Sequence, residues 1–109
     1  MTSQDFDLVV IGGGPSGYAA AFAAVAADLK VALIERDRVG GTCLHRGCIP
    51  AKELLETAAV HRTVVQAGEY GIDAQEPVID FAVAQERKRA VVERLFAGIT
   101  HLVESKAIT

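Results

Sequence analysis

The sequence has 109 residues, 50% of them apolar, and a net charge of −3 at neutral pH. A chain of this length can form one small hydrophobic core, and its charge is not concentrated in an acidic or basic block. We therefore expect neither nucleic acid nor a membrane surface as a partner, and the short basic run at 87–89 is predicted to be solvated.

Residues 8–27 carry no charge, so a membrane span has to be considered. The glycines and the proline in the middle of this segment would break a spanning helix. Asp5 and Asp7 stand where a signal peptide would have basic residues. The sequence therefore predicts a soluble, cytoplasmic protein. In that reducing compartment, two cysteines close together favour redox or metal chemistry over a structural disulfide.

The N-terminal part predicts a βαβ unit. The apolar run at 6–12 is rich in β-branched residues and predicts a buried strand, as does the run at 30–35. Between them, an alanine-rich segment at 15–29 has Pro15 near its start, which is typical of a helix. Such crossovers are right-handed almost without exception. The predicted fold class is α/β with a parallel sheet.

Two further helices are predicted after the cysteines. Apolar residues recur at helical spacing through 51–67, and a surface connection containing Pro77 follows at 69–80. Asp80 is the predicted cap of a longer helix. The apolar face of that helix is predicted to contain Val91, Val92, Leu95, Ile99, Leu102 and Val103. Residues 106–109 resemble the start of a third strand, so the sheet is expected to be incomplete.

The turn between the first strand and the first helix has the pattern G-x-G-x-x-G. Its first glycine permits the tight turn, the second lets the backbone approach a pyrophosphate, and the third lets the helix lie close to the strand. The helix N-terminus offers free N–H groups and the positive end of the helix dipole to phosphates. The candidate residues are Gly12, Gly13, Gly14, Pro15, Ser16 and Gly17.

Glu35 ends the second strand, 18 residues after Gly17. A carboxylate at this position can accept hydrogen bonds from the hydroxyls of an adenosine ribose. Arg36 follows it, but Glu35 would repel a 2′-phosphate. The pattern predicts a dinucleotide site without separating FAD from NAD, and a glycine turn used only for packing is the alternative.

Both cysteines, Cys43 and Cys48, lie in the segment GGTCLHRGCIPAK at 40–52. In one regular helix, five residues would separate their Cα atoms by about 7.5 Å along the axis. A disulfide requires roughly 4.4–6.8 Å. A disulfide therefore needs an irregular backbone, which Gly41 and Gly47 allow.

A helix beginning near Cys48 would have Pro50 in its first turn. The helix dipole and Lys52 would then stabilise the Cys48 thiolate, and Cys43 would be the more approachable sulfur. The segment thus predicts a redox-active disulfide, and two other interpretations of the cysteine pair remain. The cysteines would be inert if buried and unpaired, or they would join His45 in a zinc site that lacks a fourth ligand.

The cysteine segment resembles the active-site signature of the flavin disulfide oxidoreductase family, GGTC-x-x-x-GC-[IV]-P. Together with VVIGGGPSGYAAA and VALIE, it is similar to the N-terminal part of the dihydrolipoamide dehydrogenases within that family. The similarity covers essentially the whole chain. Leu44 and Ile49 favour these members over glutathione, trypanothione and mercuric reductases. His45, Arg46 and Ala51 depart from the frequent Asn, Val and Ser.

The resemblance implies a Rossmann-like FAD-binding domain of which residues 1–109 are the N-terminal part. It makes Cys43 the interchange thiol and Cys48 the sulfur against the flavin, with Lys52 near flavin N5. It implies no metal. The residues to which it assigns FAD are Gly12, Gly13, Gly14, Pro15, Ser16, Gly17, Glu35, Arg36, Gly41, Thr42 and Lys52.

The implied reaction is oxidation of dihydrolipoamide, carried on a 2-oxo acid dehydrogenase complex, by NAD⁺. Members of the family form homodimers in which a C-terminal domain supplies a His–Glu base. His45, His61 and His101 lie in the wrong segment for that base, so the chain alone is expected to be inactive. A flavin reductase of other small disulfides and a noncatalytic nucleotide-binding module are the alternatives.

Overall fold

The computed structural model describes residues 4–109. Its elements are β1 (Leu8–Ile11), α1 (Pro15–Ala26), β2 (Val31–Ile34), α2 (Gly41–Arg46), α3 (Cys48–Val65), a 3₁₀ turn (Ala67–Tyr70) and α4 (Phe81–Ser105). The α/β class predicted from the sequence is confirmed. Helix α2 was not expected, and the predicted third strand is not among the elements of the described residues.

Strands β1 and β2 form a parallel pair in which Leu8 lies opposite Val31 and Ile11 opposite Ile34. Helix α1 connects them and ends at Ala26, before the predicted end at 29. It stops there because Asp28 adopts a left-handed conformation, with φ of 62°. Asp tolerates this conformation better than most residues, and the following N–H groups then bond back to the carbonyls of the last turn.

The hydrophobic core lies between α1 and one face of the sheet. It contains Ala21, Ala24, Val31 and Ile108, and Val31 is the largest side chain that is fully buried. Alanines on α1 let this helix lie close to the strands, and Val103 near the end of α4 packs against the same cluster. The core therefore contains residues from both ends of the described chain, with Leu8 and Val10 of β1 packing against the cluster that includes Ile108.

The opposite face of the sheet is open. Val9, Ile11 and Ile34 point away from α1 because side chains alternate along a strand, and Ile11 is 84% exposed. The prediction that both strands are buried therefore holds for the face against α1, whereas the other face is buried at Ala32 and otherwise largely exposed. The apolar pattern alone does not show that only one face is covered within this chain.

The predicted third strand is represented by two hydrogen bonds at the edge of β2. The Thr109 N–H donates to the carbonyl of Val31 at 3.2 Å, and the Leu33 N–H donates to the carbonyl of Thr109 at 2.8 Å. These are the two bonds of a parallel bridge, and they use the edge of β2 that faces away from β1. Thr109 therefore lies where a strand next to β2 would run.

Helices α3 and α4 pack against each other as a hairpin. Asp80 caps α4 as predicted, because its Oδ1 accepts hydrogen bonds from the N–H groups of Ala82 and Val83 at 3.0 and 3.2 Å. An ion pair between Glu53 and Arg87 joins the two helices. On the predicted apolar face of α4, Val92 is buried, whereas Leu95 and Leu102 stay partly exposed.

The hairpin makes the molecule long, with principal extents of 69 × 25 × 18 Å and a radius of gyration of 20.1 Å. A compact domain of this length would have a radius of gyration of about 13 Å. Apolar side chains near the far end of the hairpin are exposed, among them Val65, Tyr70 and Val78. No helix in residues 4–109 has the length and apolar character needed to cross a bilayer.

Candidate functional site

The glycine turn between β1 and α1 depends on two glycines for its shape. Gly12 has a φ of 101°, in the region that favours glycine, and its N–H donates to the carbonyl of Ile34 at 2.7 Å. Gly17 lies so close to the turn that a Cβ there would be 1.8 Å from the carbonyl oxygen of Gly12. Any side chain at 17 would therefore push α1 away from β1.

Glu35 connects the end of β2 to this turn. Its Oε2 accepts a hydrogen bond from the Gly13 N–H at 2.7 Å, and its Oε1 accepts one from the Asp37 N–H at 3.0 Å. The Gly13 bond, followed by the Asp37 bond, lowers the pKa of the Glu35 carboxyl, because both favour the charged form. Glu35 is therefore an ionised acceptor held beside the glycine turn.

The cysteine segment packs directly against the glycine turn. The N–H of the buried Gly40 donates to the carbonyl of Gly13 at 2.7 Å. Gly41 has a φ of 60°, and a Cβ on it would lie 2.8 Å from the Cα of Gly14. The two motifs that the sequence places about 25 residues apart are thus joined backbone to backbone.

A cleft of about 370 Å³ lies where these segments meet. It is lined by Ile11, Gly12, Ile34, Glu35, Arg36, Asp37, Arg38, Gly41, Thr42, His45 and Arg46. Among the residues predicted from the sequence, the structure thus brings Gly12, Glu35, Arg36, Gly41 and Thr42 to one surface. Pro15, Ser16 and Gly17 form the first turn of α1, while Lys52 lies exposed on α3, outside this lining.

The backbone between the cysteines is irregular, as the spacing predicts. Helix α2 carries Cys43 and ends at Gly47, whose φ and ψ are −128° and −108°, and α3 begins with Cys48. A Cβ on Gly47 would lie 3.1 Å from the Thr42 carbonyl oxygen and 3.4 Å from the Cys43 Cα. The break at Gly47 therefore folds the chain back against Cys43.

Both cysteines are present as thiols. A hydrogen bond with the Cys48 side chain is the main cause that raises the pKa of Cys43, followed by burial, while the positive charge of Lys52 acts in the opposite direction. Cys43 is half-buried and Cys48 is exposed. These exposures describe the whole residues and not their sulfur atoms, so the expectation that Cys43 is the more approachable sulfur stays a prediction.

Zinc receives no support from this geometry. His45 uses its Nε2 in a 2.9 Å hydrogen bond with the carbonyl oxygen of Val39. Throughout residues 4–109, no three His, Cys, Asp or Glu side chains are grouped so that they could hold a metal ion. The inert-cysteine alternative requires both cysteines to be buried, whereas Cys48 is exposed.

Comparison with known proteins identifies the family. The model of the pyridine nucleotide-disulphide oxidoreductases matches residues 6–109. The chain belongs to this family. It is 44% identical over 106 residues to a dihydrolipoyl dehydrogenase of Bacillus subtilis (strain 168) and 46% identical over 107 residues to one of Chlamydia pneumoniae.

These alignments cover 97% and 98% of the chain but only 22% and 23% of the two relatives. A dihydrolipoyl dehydrogenase of Zymomonas mobilis is similar to the same degree, at 44% identity over 97% of the chain and 23% of the relative. The chain thus spans less than a quarter of the length of these three relatives. The flavin disulfide oxidoreductase resemblance seen in the motifs is confirmed at the level of the family.

Arg38, Glu93 and Phe96 at this site were not found by sequence reasoning. Arg38 lies 3.9 Å from the centre of the Phe96 ring and forms a paired hydrogen bond with Glu93 on α4. His45 packs edge-on against the same ring. His45 was singled out from the sequence only as a possible zinc ligand, and its place close to Arg38 could have been noticed. Nothing local indicates that Phe96, more than 50 residues later, lies beneath them.

Proposed function

We propose that the chain is the N-terminal part of the FAD-binding domain of a dihydrolipoyl dehydrogenase, which oxidises dihydrolipoamide with NAD⁺. The supporting observation is the backbone contact between the glycine turn and the cysteine segment, made by the Gly40 N–H and the Gly13 carbonyl. Through this contact a nucleotide cleft and a pair of thiols share one structural unit. Thr42 lines the cleft, and Cys43 is its neighbour in the chain.

The residues present fit a bound FAD. The first-turn N–H groups of α1 have no side-chain cap, so they remain available to a pyrophosphate. The Cβ position of Gly14 has nothing within 4 Å, which leaves the backbone there open to approach. The ionised Glu35 still has lone pairs for ribose hydroxyls. FAD bound here would supply two-electron chemistry that neither thiol can perform with NAD⁺.

The cysteines would carry the exchange with substrate. A thiolate of dihydrolipoamide attacks the Cys43 sulfur of a Cys43–Cys48 disulfide, which forms a mixed disulfide and releases Cys48 as a thiolate. The second substrate thiolate then attacks the substrate sulfur of the mixed disulfide. Lipoamide leaves as a cyclic disulfide, and Cys43 takes a proton as its bond to substrate breaks. Two electrons pass from the substrate to the cysteine pair.

The raised pKa of Cys43 suits this role. Its thiol interacts with Cys48 and is half-buried, so the proton is retained at neutral pH once exchange is complete. The proton acceptor for the substrate thiols would come from outside residues 4–109. Exposed Lys52 would lie beside the flavin, where its positive charge favours the reduced form.

The wider setting follows from the same proposal. The complete enzyme would be a homodimer that works in the cytoplasm on the lipoyl groups of a 2-oxo acid dehydrogenase complex. The relatives in Bacillus subtilis and Chlamydia pneumoniae carry the name dihydrolipoyl dehydrogenase, which supports the lipoyl substrate. The two exposed faces described above, on the sheet and on the hairpin, leave room for the rest of such an enzyme.

The test is an anaerobic titration of the complete enzyme that contains these residues. With one equivalent of dihydrolipoamide, we expect bound flavin to develop a long-wavelength charge-transfer band from a cysteine thiolate. Cys48→Ser should abolish this band. Cys43→Ser, the matched control, cannot form the disulfide, so its free Cys48 thiolate should give the band before dihydrolipoamide is added. Reduced glutathione should leave the spectrum of the wild-type enzyme nearly unchanged.

Each other outcome contradicts a different part of the proposal. A flavoprotein without the band in any form would argue against the redox role of the cysteines. Loss of the band in Cys43→Ser but not in Cys48→Ser would show that Cys43 lies against the flavin and that Cys48 exchanges with the substrate. Reduction by glutathione in preference to dihydrolipoamide would identify a reductase of small disulfides instead.

A further inference from the structure

We propose that His45 is a positioning residue for the cysteine pair: it holds α2 so that Cys43 faces Cys48, and it thereby stabilises the disulfide between them. The proposal rests on the redox role of the cysteines given above. His45 lies between the two cysteines in sequence, and the family signature leaves its position open. Its role here follows from contacts in the structure.

Helix α2 cannot hold its own position. It has only six residues and is flanked by two glycines, Gly40 and Gly47. Neither end has a side chain that caps the free backbone groups. A helix this short is unstable unless other parts of the protein hold it. Its contacts with the rest of the protein therefore decide where Cys43 lies.

His45 makes two contacts that join α2 to its surroundings. Its Nε2 lies 2.9 Å from the carbonyl oxygen of Val39, and because a carbonyl only accepts, Nε2 carries the hydrogen and donates. Its ring packs edge-on against Phe96 on α4, with centroids 5.3 Å apart and planes at 67°. One side chain thus connects α2 to the preceding loop and to α4.

The Phe96 ring is itself held in place. The guanidinium of Arg38 stacks on it at 3.9 Å, and both terminal nitrogens of Arg38 donate to the carboxylate of Glu93, at 3.1 and 2.8 Å. His45 therefore rests on a ring that cannot move freely. The His45 Nδ1 is buried and has no hydrogen-bond partner among the described residues, so Nε2 makes the polar contact of this ring.

The other contacts of α2 do not replace His45. Arg46 pairs with Asp37 at 2.9 Å, but the two side chains are 73% and 57% exposed, and such pairs contribute little. Leu44 is buried against Gly40, which anchors α2 without a directional bond. Backbone contacts of Gly40 and Gly41 with the glycine turn fix the start of α2. Toward its C-terminal end, the His45 hydrogen bond is the directional, half-buried side-chain contact that orients the helix.

Orientation matters because a disulfide tolerates only a narrow range of Cα separations and Cβ directions. Cys43 lies two residues before His45, and the break at Gly47 lies two residues after it. If α2 turns about its glycine ends, Cys43 moves relative to Cys48, which belongs to α3. The dithiol form tolerates this motion, whereas the disulfide does not. Loss of the His45 contact should therefore favour the dithiol.

The test measures the equilibrium between the Cys43–Cys48 disulfide and the dithiol in the full-length protein. The protein is equilibrated in glutathione buffers of different ratio, the thiols are alkylated, and the peptide containing both cysteines is quantified by mass spectrometry. His45→Phe keeps a ring but loses the donor, and we expect the disulfide equilibrium constant to fall about threefold to tenfold, the value of one hydrogen bond. His45→Gln places an amide nitrogen close to the position of the histidine Nε2. Its disulfide equilibrium constant should therefore be close to that of the wild type.

Matched changes at His101, an exposed histidine on α4, serve as controls. His101→Phe and His101→Gln should leave the equilibrium unchanged. If His45→Phe does not fold, His45→Asn replaces it, because the shorter amide cannot reach Val39 and should show the same loss. Variants that fold but have the wild-type equilibrium would overturn the positioning role. A wild-type protein that forms no Cys43–Cys48 disulfide at any ratio would contradict the redox function itself, and so the positioning role with it.

Discussion

The glycine turn and the cysteine segment meet in one site, but they are built in different ways. The turn at 12–17 is held by backbone contacts, in which Gly17 approaches the Gly12 carbonyl and the Gly12 N–H bonds to β2. The cysteine segment at 40–48 touches the turn through the backbone of Gly40 and Gly41. Beyond these two residues it is held by side chains, chiefly Leu44, His45 and the Arg38 stack on Phe96.

This difference predicts how each region tolerates change. At Gly17 the turn cannot accept a side chain, because a Cβ there meets the Gly12 carbonyl oxygen whatever its rotamer. A segment held by side chains loses one contact at a time and keeps its general shape. Substitutions at the turn should therefore act on the stability of the fold, and substitutions around the cysteines should act on their chemistry.

The largest effect is expected for Gly17→Ala. The new Cβ would lie 1.8 Å from the Gly12 carbonyl oxygen, so α1 must move away from the strands that it covers. We expect a loss of about 3 kcal/mol in the free energy of unfolding, at the upper end for overpacking. Urea denaturation followed by circular dichroism measures this loss.

Gly98→Ala is the matched control for that experiment. Gly98 lies on the exposed side of α4, and a Cβ there would have nothing within 4 Å. Alanine in a helix interior is favoured over glycine by roughly 0.5–1 kcal/mol, so this variant should be more stable than the wild type. If Gly17→Ala and Gly98→Ala change the free energy of unfolding in the same direction, a steric clash at Gly17 does not limit the turn.

A smaller effect that depends on pH is expected for Glu35→Gln. Hydrogen bonds from Gly13 and Asp37 hold the pKa of Glu35 below its ordinary value of 4.5. A carboxyl with a lowered folded-state pKa stabilises the fold above its unfolded pKa, and this contribution is lost as the pH falls through the folded-state pKa. The wild type should exceed Glu35→Gln in stability at pH of about 7, and the gap should close below pH of about 4.5.

Urea midpoints of both proteins across this range measure the gap. Glu93, whose pKa is lowered by its hydrogen bond with Arg38, titrates in both proteins, so its contribution cancels in the difference. A gap that stays constant down to pH of about 3 would show that the Glu35 carboxylate is not held by the two N–H groups.

The smallest effect is expected at the exposed Arg38–Glu93 pair. Glu93→Ala removes only the ion pair, whose loss should become undetectable in about 1 M salt because the charges are screened. Arg38→Ala also removes the stack on Phe96, so part of its effect should persist at high salt. Thermal unfolding of the two variants at low and high salt separates the contributions. If both variants lose the same thermal stability at high salt, the stack of Arg38 on Phe96 does not stabilise the fold.

Much of the local structure follows from the sequence. The βαβ unit, the cap at Asp80 and the irregular backbone between the cysteines were all predicted, and the structure has each of them. These features depend on short-range rules: apolar periodicity, the chemistry of glycine and proline, and the reach of a capping carboxylate. Helix α2 was missed because six residues between glycines have too little periodicity to identify a helix.

The sequence by itself therefore determined the class of fold, the glycine turn, the acid that follows β2 and the two cysteines. Only the tertiary structure decided that the Gly13 N–H bonds to Glu35, that Gly41 rests on Gly14, and that His45 rests on Phe96. It also decided that Cys48 is exposed while Cys43 is half-buried. These features join residues far apart in the chain, and the packing of α1, α2 and α4 alone brings them together, so no local pattern of residues encodes them.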